Sequence, residues 1–540
     1  MFRFLTSLLL LLCQFDAAAQ QTVGLFQNTA ASFDGFTLIG NISSQTTHLI
    51  DNCGRVVNSW ESAYAAGASC YLLDNGDIIR CGKIESSVFI GGGIGGIVER
   101  FSWDGELVWS MEFANDTLHQ HHDIAPMPNG NVLVLAWSMR SPETAASVGD
   151  IDGEMLWPET VLEIEPIGGD SGAVVWSWNT WDHLVQNVDS TLPNFAEPAD
   201  SPGRFDVNYT STGGTVSSGD WQHMNAIDYN PGLDQIMLSS KRWNEIYIID
   251  HSTTTAEASG ASGGTAGHGG DLLYRWGNPL TYGRGTDADK LLFGQHNPNW
   301  ITNETVLLFN NGQNRPDGNY STADEFTLPL QADGTYLLED DDVYGPETLD
   351  WRYPEIGSDN FFSPRISSAQ RLPNGNTLIC EGTKGHTFEV TPEGEIVWDY
   401  ITAQTSDGPM TQGDEVNGNG TFRATRYAAD YSAFSGRDLT PGDPVELEPL
   451  ALACEIYVGL GAEPVEASTV FSVFPNPAAD RVTIRSDRPT LPCLRDLSGR
   501  IIWRAESAET RHEIGIGNFP AGAYLVSDSE ATLAQLLIKY

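Results

Sequence analysis

Two kinds of hairpin alternate along this chain in a fixed order, and that order limits the fold more than any other feature. One kind centres on an Asn-Gly turn, at Leu73–Asp77, Met127–Asn131 and Leu372–Asn376. The other is a turn followed by a strand with a late tryptophan: Asp51–Arg55 to Trp60, Trp103–Glu106 to Trp109, and Thr391–Glu395 to Trp398. Degenerate copies run from Pro166–Gly169 to Trp176 and, after a Gly/Ser/Thr insertion over 254–270, to Tyr274–Trp276. From about residue 36 to 440, short apolar runs alternate with turn residues, with almost no helical periodicity. Two such hairpins make a four-stranded antiparallel unit; a large sandwich would not explain their fixed order. The expected fold is all-β, a six-bladed β-propeller. Insertions at 138–160, 181–219, 254–290 and 313–350 would build up its rims.

Within that frame three histidines share one register. His122, His223 and His296 each lie seven residues before an asparagine, at 129, 230 and 303. Apolar strands follow at Val132–Leu135, Ile236–Leu238 and Val306–Phe309. In a fourth copy, before Asn374 and Thr377–Ile379, Ser367 takes the histidine's place. The first strand of each propeller blade lines the axis, so the three imidazoles are expected to converge on one mouth. Hairpin arithmetic sets Arg242 opposite His223, Asn311 opposite His296 and Trp137 opposite His122. The expected mouth holds imidazoles, a guanidinium and amides, with Asp123 its close acid. Such a set suits a tetrahedral oxyanion, sulfate or phosphate, through charge-assisted hydrogen bonds. One histidine can act as nucleophile and another as acid or base near neutral pH. Two readings compete. A lone histidine at a strand start is usually structural, but a shared register argues against that here. A three-histidine zinc site is the other, and Arg242 argues against a dication. No metal is expected.

The 540 residues suffice for more than one core. Residues 1–19 read as a secretory signal: Arg3, the run Leu8–Leu12, and Ala17–Ala19 as cleavage site. No later apolar run reaches the roughly 18 residues of a membrane span. The net charge of −44, from 72 acids and 28 bases, excludes nucleic acid as partner, because phosphate binding needs clustered Lys and Arg. Of the seven cysteines, Cys70 and Cys81 flank Asp74–Asp77 symmetrically. A two-residue Asn-Gly turn would set them opposite each other, leaving a bridge or two free thiols as readings. Gly91–Gly96 fits a dinucleotide glycine pattern, but a strand and turn follow where that motif needs a helix. Asp150–Gly153 and Glu339–Asp342 are candidate calcium loops, with solvated acidic loops the expectation; no other cofactor is expected. Residues 441–469, rich in Pro, Glu and Ala, read as a linker, and 470–540 as a small C-terminal β-sandwich.

That tail resembles the C-terminal sorting domain of type IX secretion in Bacteroidetes. The residues that carry the likeness are Phe474-Pro-Asn-Pro477, Asp496–Arg500, Gly522–Tyr524 and the last strand with Lys539. The likeness implies the secretion machinery as partner, and a secreted or cell-surface location. Within a propeller domain set at 20–440, most of residues 36–440 resemble the exported bacterial aryl sulfotransferases, six-bladed propellers that use no nucleotide sulfate. The matching pieces are His122-Asp123 before an Asn-Gly turn, His223-x-Asn225 with Arg242, His296-Asn-Pro, Ser363–Asn376, and Arg423–Tyr427. The resemblance implies ping-pong transfer from a phenolic sulfate ester to a phenol. It makes His296 the sulfated nucleophile, and His223, Asn225 and Arg242 the sulfate-holding groups. It gives His122 a part in proton transfer or binding. His121, Asn311, Arg365 and Gln370 complete the expected substrate-binding set. Trp221, Trp243 and Trp300 neighbour these positions, as core residues or as walls for an aryl ring. The long acidic insertions depart from the family pattern and leave the acceptor open. A non-catalytic surface propeller that binds sulfated or other glycans is the alternative.

Overall fold

The structure is a computed structural model. It describes residues 21–210, 219–338, 343–354, 361–450, 454–457, 471–474, 481–496, 500–505, 507–520, 522–527 and 534–539. The signal segment 1–19, the loop Glu339–Asp342 and most of the linker lie outside the described residues. The chain forms two compact units, 1–457 and 458–540.

The first unit is all-β and built around six antiparallel sheets, each with four strands in spatial order and one with a fifth added, beside two short two-stranded pairs. Sheet I holds Thr425–Ala428, Gly35–Gly40, Thr46–Ile50 and Val56–Glu61. Sheet II runs Ala66–Leu72, Ile78–Lys83, Gly96–Phe101, Leu107–Glu112. Sheet III runs Leu118–Pro126, Val132–Ser138, Glu159–Ile167, Ser171–Asn179. Sheet IV runs Met224–Asn230, Gln235–Ser240, Glu245–Asp250, Tyr274–Trp276. Sheet V runs His296–Trp300, Thr305–Asn310, Thr322–Thr327, Trp351–Tyr353. Sheet VI runs Ser368–Arg371, Thr377–Glu381, His386–Val390, Ile396–Ile401, with Gly24–Asn28 added at its outer edge.

Side-chain hydrogen bonds join the first strand of each sheet to that of the next. Leu72 N–H donates to the Tyr427 hydroxyl (2.9 Å), and the Tyr71 hydroxyl to Asp123 (2.7 Å). Asp123 accepts from Ile227 N–H (3.2 Å), and Asp228 from Trp300 N–H (2.9 Å). Asn299 donates to Ala369 O (3.0 Å), and Gln370 exchanges two bonds with the Arg426 backbone (2.8 and 2.9 Å). The last link returns to sheet I. Apolar side chains fill the spaces between sheets, including the fully buried Trp137, Trp243 and Trp398.

Turn chemistry corrects two expectations. In Leu73–Asp77, Met127–Asn131 and Leu372–Asn376 the first N–H bonds the carbonyl four residues on, and the glycine N–H bonds back. The loops therefore contain three residues, with Gly76, Gly130 and Gly375 left-handed at φ +87, +89 and +90°. The extra residue moves the register by one. Cys70 pairs with Arg80, so Cys70 and Cys81 are not cross-strand partners and both are free. The disulfide joins Cys53 to Cys454.

The second unit has two antiparallel sheets, of three and four strands. Val482, Ile484, Leu494, Ile514, Ile516, Tyr524 and Val526 share its apolar core.

Candidate active site

The histidines owe their position to β-bulges. The first strands of sheets III, IV and V each break register against their second strand: between Val134 and Ala136 on the partner in sheet III, at Met224/Ala226, and at His296/Asn299. At or just before these breaks His122, His223 and Asn297 adopt positive φ, +53, +53 and +49°. A bulge re-aims the side chains around it, and such backbone strain is characteristic of functional sites. In the fourth copy Ile366 and Ser367 are also left-handed, at +51 and +96°. The bulges also shift the pairings read from sequence. Lys241, not Arg242, stands opposite His223, its N–H on the His223 carbonyl at 3.1 Å; Arg242 pairs with Gln222. Phe309 lies opposite His296, and His119 opposite Trp137. Asn311 nevertheless reaches His296 with its side chain, and Trp137 stacks on His121 at 3.9 Å.

The imidazoles form one buried group. The His122 and His223 rings lie 4.7 Å apart, nearly perpendicular. His121 bridges the Glu159 carboxyl (Nε2, 2.8 Å) and His122 (Nδ1 to Nδ1, 2.9 Å). His223 Nδ1 faces Asp220 Oδ2 at 2.6 Å, and Arg242 reaches the same oxygen at 3.2 Å. Burial alone would raise the Asp220 carboxyl, but His223 and Arg242 together bring it down to about 2, so it is a carboxylate. The Arg242 Nε–H is buried without a partner and remains free for an anion.

His296 is held differently. Its Nδ1 faces two acceptors, Gly294 O at 3.0 Å and Asn311 Oδ1 at 2.6 Å. Asn311 cannot turn its amide nitrogen there, because that nitrogen donates to Ser363 O and Ile366 O. Nδ1 therefore carries the proton, and the Nε2 lone pair accepts from Ile366 N–H at 3.2 Å. Burial and the nearby Lys241 push His296 down to about 3. His121 falls to about 3 through burial, and burial, then His223, takes His122 well below its ordinary range. These three rings are neutral at physiological pH.

The other expected residues fall as follows. Asn225 donates to Gln295 O at 2.7 Å and so fixes the residue before His296. Arg365 is exposed and precedes the residue whose N–H meets His296. Gln370 lines a cavity of about 160 Å³ together with Tyr71, Asp228, Asn297 and Arg423, and none of the histidines lines it. Asp123, the acid expected in the mouth, instead pairs with Arg423 at 2.8 Å. Trp221 and Trp243 pack edge to face in the core, and Trp300 packs against the cluster of Val306 and Leu308. Among the described residues no group of three or more His, Cys, Asp or Glu side chains is arranged to hold a metal ion.

Sequence reasoning missed Glu159, Asp220, Lys241 and Gly93. A β-carbon on Gly93 would stand 2.0 Å from His122 Nε2, and the Gly93 carbonyl accepts from His122 N–H at 2.7 Å. Gly92 passes beside His223, so the glycine run packs against His122 and His223. Its missing helix was the available signal. For Glu159 and Asp220 no local pattern marks them among 72 acids.

The family model of the arylsulfotransferases (ASST) matches residues 26–414. The chain belongs to the arylsulfotransferase family. Aryl sulfotransfer on small molecules is thus its class of activity, and the histidine group above lies wholly within the matched arylsulfotransferase segment. A secretion-system C-terminal sorting domain matches 472–539, which marks the arylsulfotransferase for export to the cell surface or secretion. No helix among the described residues is long and apolar enough to cross a membrane. No curated protein matches the chain. Similar solved structures include a Bacteroides caccae protein of unknown function, 12% identical, covering 73% of this chain and 98% of its own, TM-score 0.39. Another is a Pseudomonas aeruginosa periplasmic gluconolactonase, 11% identical, covering 89% and 99%, TM-score 0.33.

Proposed function

We propose that the chain carries a sulfuryl group from an aryl sulfate ester to a phenol in two steps, through a sulfated His296, inside a six-bladed β-propeller. In the first step the Ile366 N–H bond to His296 Nε2 opens, the released lone pair attacks sulfur, the N–S bond forms and the ester S–O bond breaks. The phenolate leaves and takes a proton. In the second step the acceptor phenol loses its proton, its oxygen attacks sulfur and the N–S bond breaks. Arg242, with its free Nε–H, and His223, backed by Asp220, hold the sulfate oxygens through charge-assisted bonds. His122 exchanges the proton. The reading invokes no nucleotide, metal or other cofactor. The six sheets and the circuit of hydrogen bonds between their first strands support the propeller, and the two sheets around one core support a sandwich for the tail.

One observation carries the reading: His296 is neutral, with Nδ1–H fixed on Asn311 and Gly294, so that Nε2 is the nucleophilic atom. The test is incubation with 4-nitrophenyl sulfate and phenol, followed by peptide mapping. Nitrophenolate release that depends on phenol, with sulfate trapped on the peptide holding His296, is expected. Sulfate trapped elsewhere would refute His296 as the carrier.

A further inference from the structure

A line of three buried side chains leads away from the reacting atoms, and neither the family match nor the sulfate-holding groups account for it. Glu159 opens the third strand of sheet III and is fully buried. Its Oε1 accepts from Met224 N–H at 2.8 Å, and its Oε2 meets His121 Nε2 at 2.8 Å. His121 Nδ1 meets His122 Nδ1 at 2.9 Å. Trp137 lies flat on His121, at 3.9 Å and 13° between planes, and fixes that ring's orientation. Two nitrogens at hydrogen-bond distance must share one proton, so the line has two consistent arrangements. In one, Glu159 is protonated and donates to His121 Nε2, His121 Nδ1–H donates to His122 Nδ1, and His122 carries its proton on Nε2. In the other, every proton has moved one place: Glu159 is a carboxylate, His121 carries Nε2–H, and His122 carries Nδ1–H with a lone pair on Nε2.

We propose that Glu159 and His121 form a proton relay that lets His122 give and take a proton at Nε2 without becoming an imidazolium. This rests on the two-step reading above. In the first step the His122 Nε2 proton goes to the departing phenolate oxygen. The His121 Nδ1 proton moves to His122 Nδ1, and the Glu159 proton to His121 Nε2. In the second step the acceptor phenol gives its proton to His122 Nε2, and the line returns to its first arrangement. Protons balance over the cycle, and the negative charge formed in the first step rests on Glu159.

The surroundings favour this over a charged His122. Facing it are His121, His223 with Asp220, and His296, with Lys241 and Arg242 on the neighbouring hairpin. Burial, with added repulsion from the neighbouring rings and Lys241, opposes a positive charge there. Burial also keeps the Glu159 carboxyl well above its usual range, which suits a group that stores a proton. Glu159 and His121 are positioning residues; His122 is the one that meets the substrate.

Glu159→Gln tests the relay. The amide can donate to His121 and hold the line in its first arrangement, but it cannot release the proton. With 4-nitrophenyl sulfate, whose leaving group needs little protonation, the burst of nitrophenolate should stay near one per chain. Turnover with unsubstituted phenol, which must lose a proton, should fall about 100-fold. Acceptors acidic enough to enter as phenolates should largely restore it. Equal turnover of all acceptors at the wild-type rate would overturn the relay, and so would loss of the burst in a folded variant. If the glutamine variant does not fold, His121→Asn cuts the same line and should give the same dependence on acceptor acidity. A wild-type protein without sulfuryl transfer would instead sink the two-step reading itself.

Discussion

His223 and His296 share one spacing in the sequence and stand where the first strands of adjacent sheets begin, each next to a bulge, yet they are built for different work. His223 leans on a carboxylate that Arg242 also holds. His296 leans on an amide and a backbone carbonyl. A carboxylate that also anchors a guanidinium sets the ring beside a ready anion-binding group. A neutral acceptor fixes one tautomer and leaves a lone pair to react. The repeat fixes where each ring stands, and the partner behind it decides what the ring does.

The largest effect expected from breaking this contrast is removal of the reacting ring. His296→Ala should cut phenol-dependent release by roughly 10⁴-fold or more with the circular dichroism spectrum unchanged, as for other covalent nucleophiles. Full activity in this variant would transfer the nucleophile's role elsewhere. Next comes making one ring's partner like the other's. Asn311→Asp places a carboxylate on His296 Nδ1 and should raise its pKa from about 3. The protonated ring cannot attack, so an acid limb should appear in the kcat/KM profile, with a loss of about 10-fold or more at pH 6 that fades as pH rises. An unchanged profile would contradict the assigned tautomer. The converse swap, Asp220→Asn, should weaken the grip on sulfate and act mainly on KM, by about 10-fold. A fall in kcat alone would argue that His223 does more than bind.

The smallest effect is on stability. His296 takes a proton near pH 6.5 when unfolded but only near 3 when folded. The unfolded state therefore binds the extra proton between those values, and stability should fall as pH drops from 6.5 toward 3. His386 is the opposite case. Burial disfavours its charge, yet Asp399 and Glu381 raise it to about 9, so its contribution is complete below 6.5 and disappears as pH rises through 9. Melting temperatures of His386→Asn and wild type should converge between pH 7 and 9.5. A gap that persists at high pH would mean the ring acts by packing.

Much of this was legible in the sequence for definite reasons. Strand alternation and turn glycines are local signals, so the order of hairpins and the shared histidine register could be read directly. The register across each hairpin could not. It depends on whether the loop around Gly76 or Gly130 holds two residues or three, and on bulges stabilised by contacts far away in sequence. That single-residue error put Arg242 where Lys241 stands and suggested a Cys70–Cys81 bridge. Asp220 and Glu159 were unreadable for another reason: their meaning comes from burial beside an imidazole, and a chain with 72 acids gives no local sign of it. Cys53 and Cys454 are separated by 401 residues, beyond any local rule.

The first sheet takes its opening strand, Thr425–Ala428, from the far end of the unit, where it pairs with Gly35–Gly40. During synthesis, then, the strand Gly35–Gly40 waits with an open edge while almost four hundred residues follow it. Any truncation before Thr425 makes that wait permanent. Such a fragment keeps most of its histidines but presents bare N–H and C=O groups to the next chain it meets, and its expected fate is self-association through that edge.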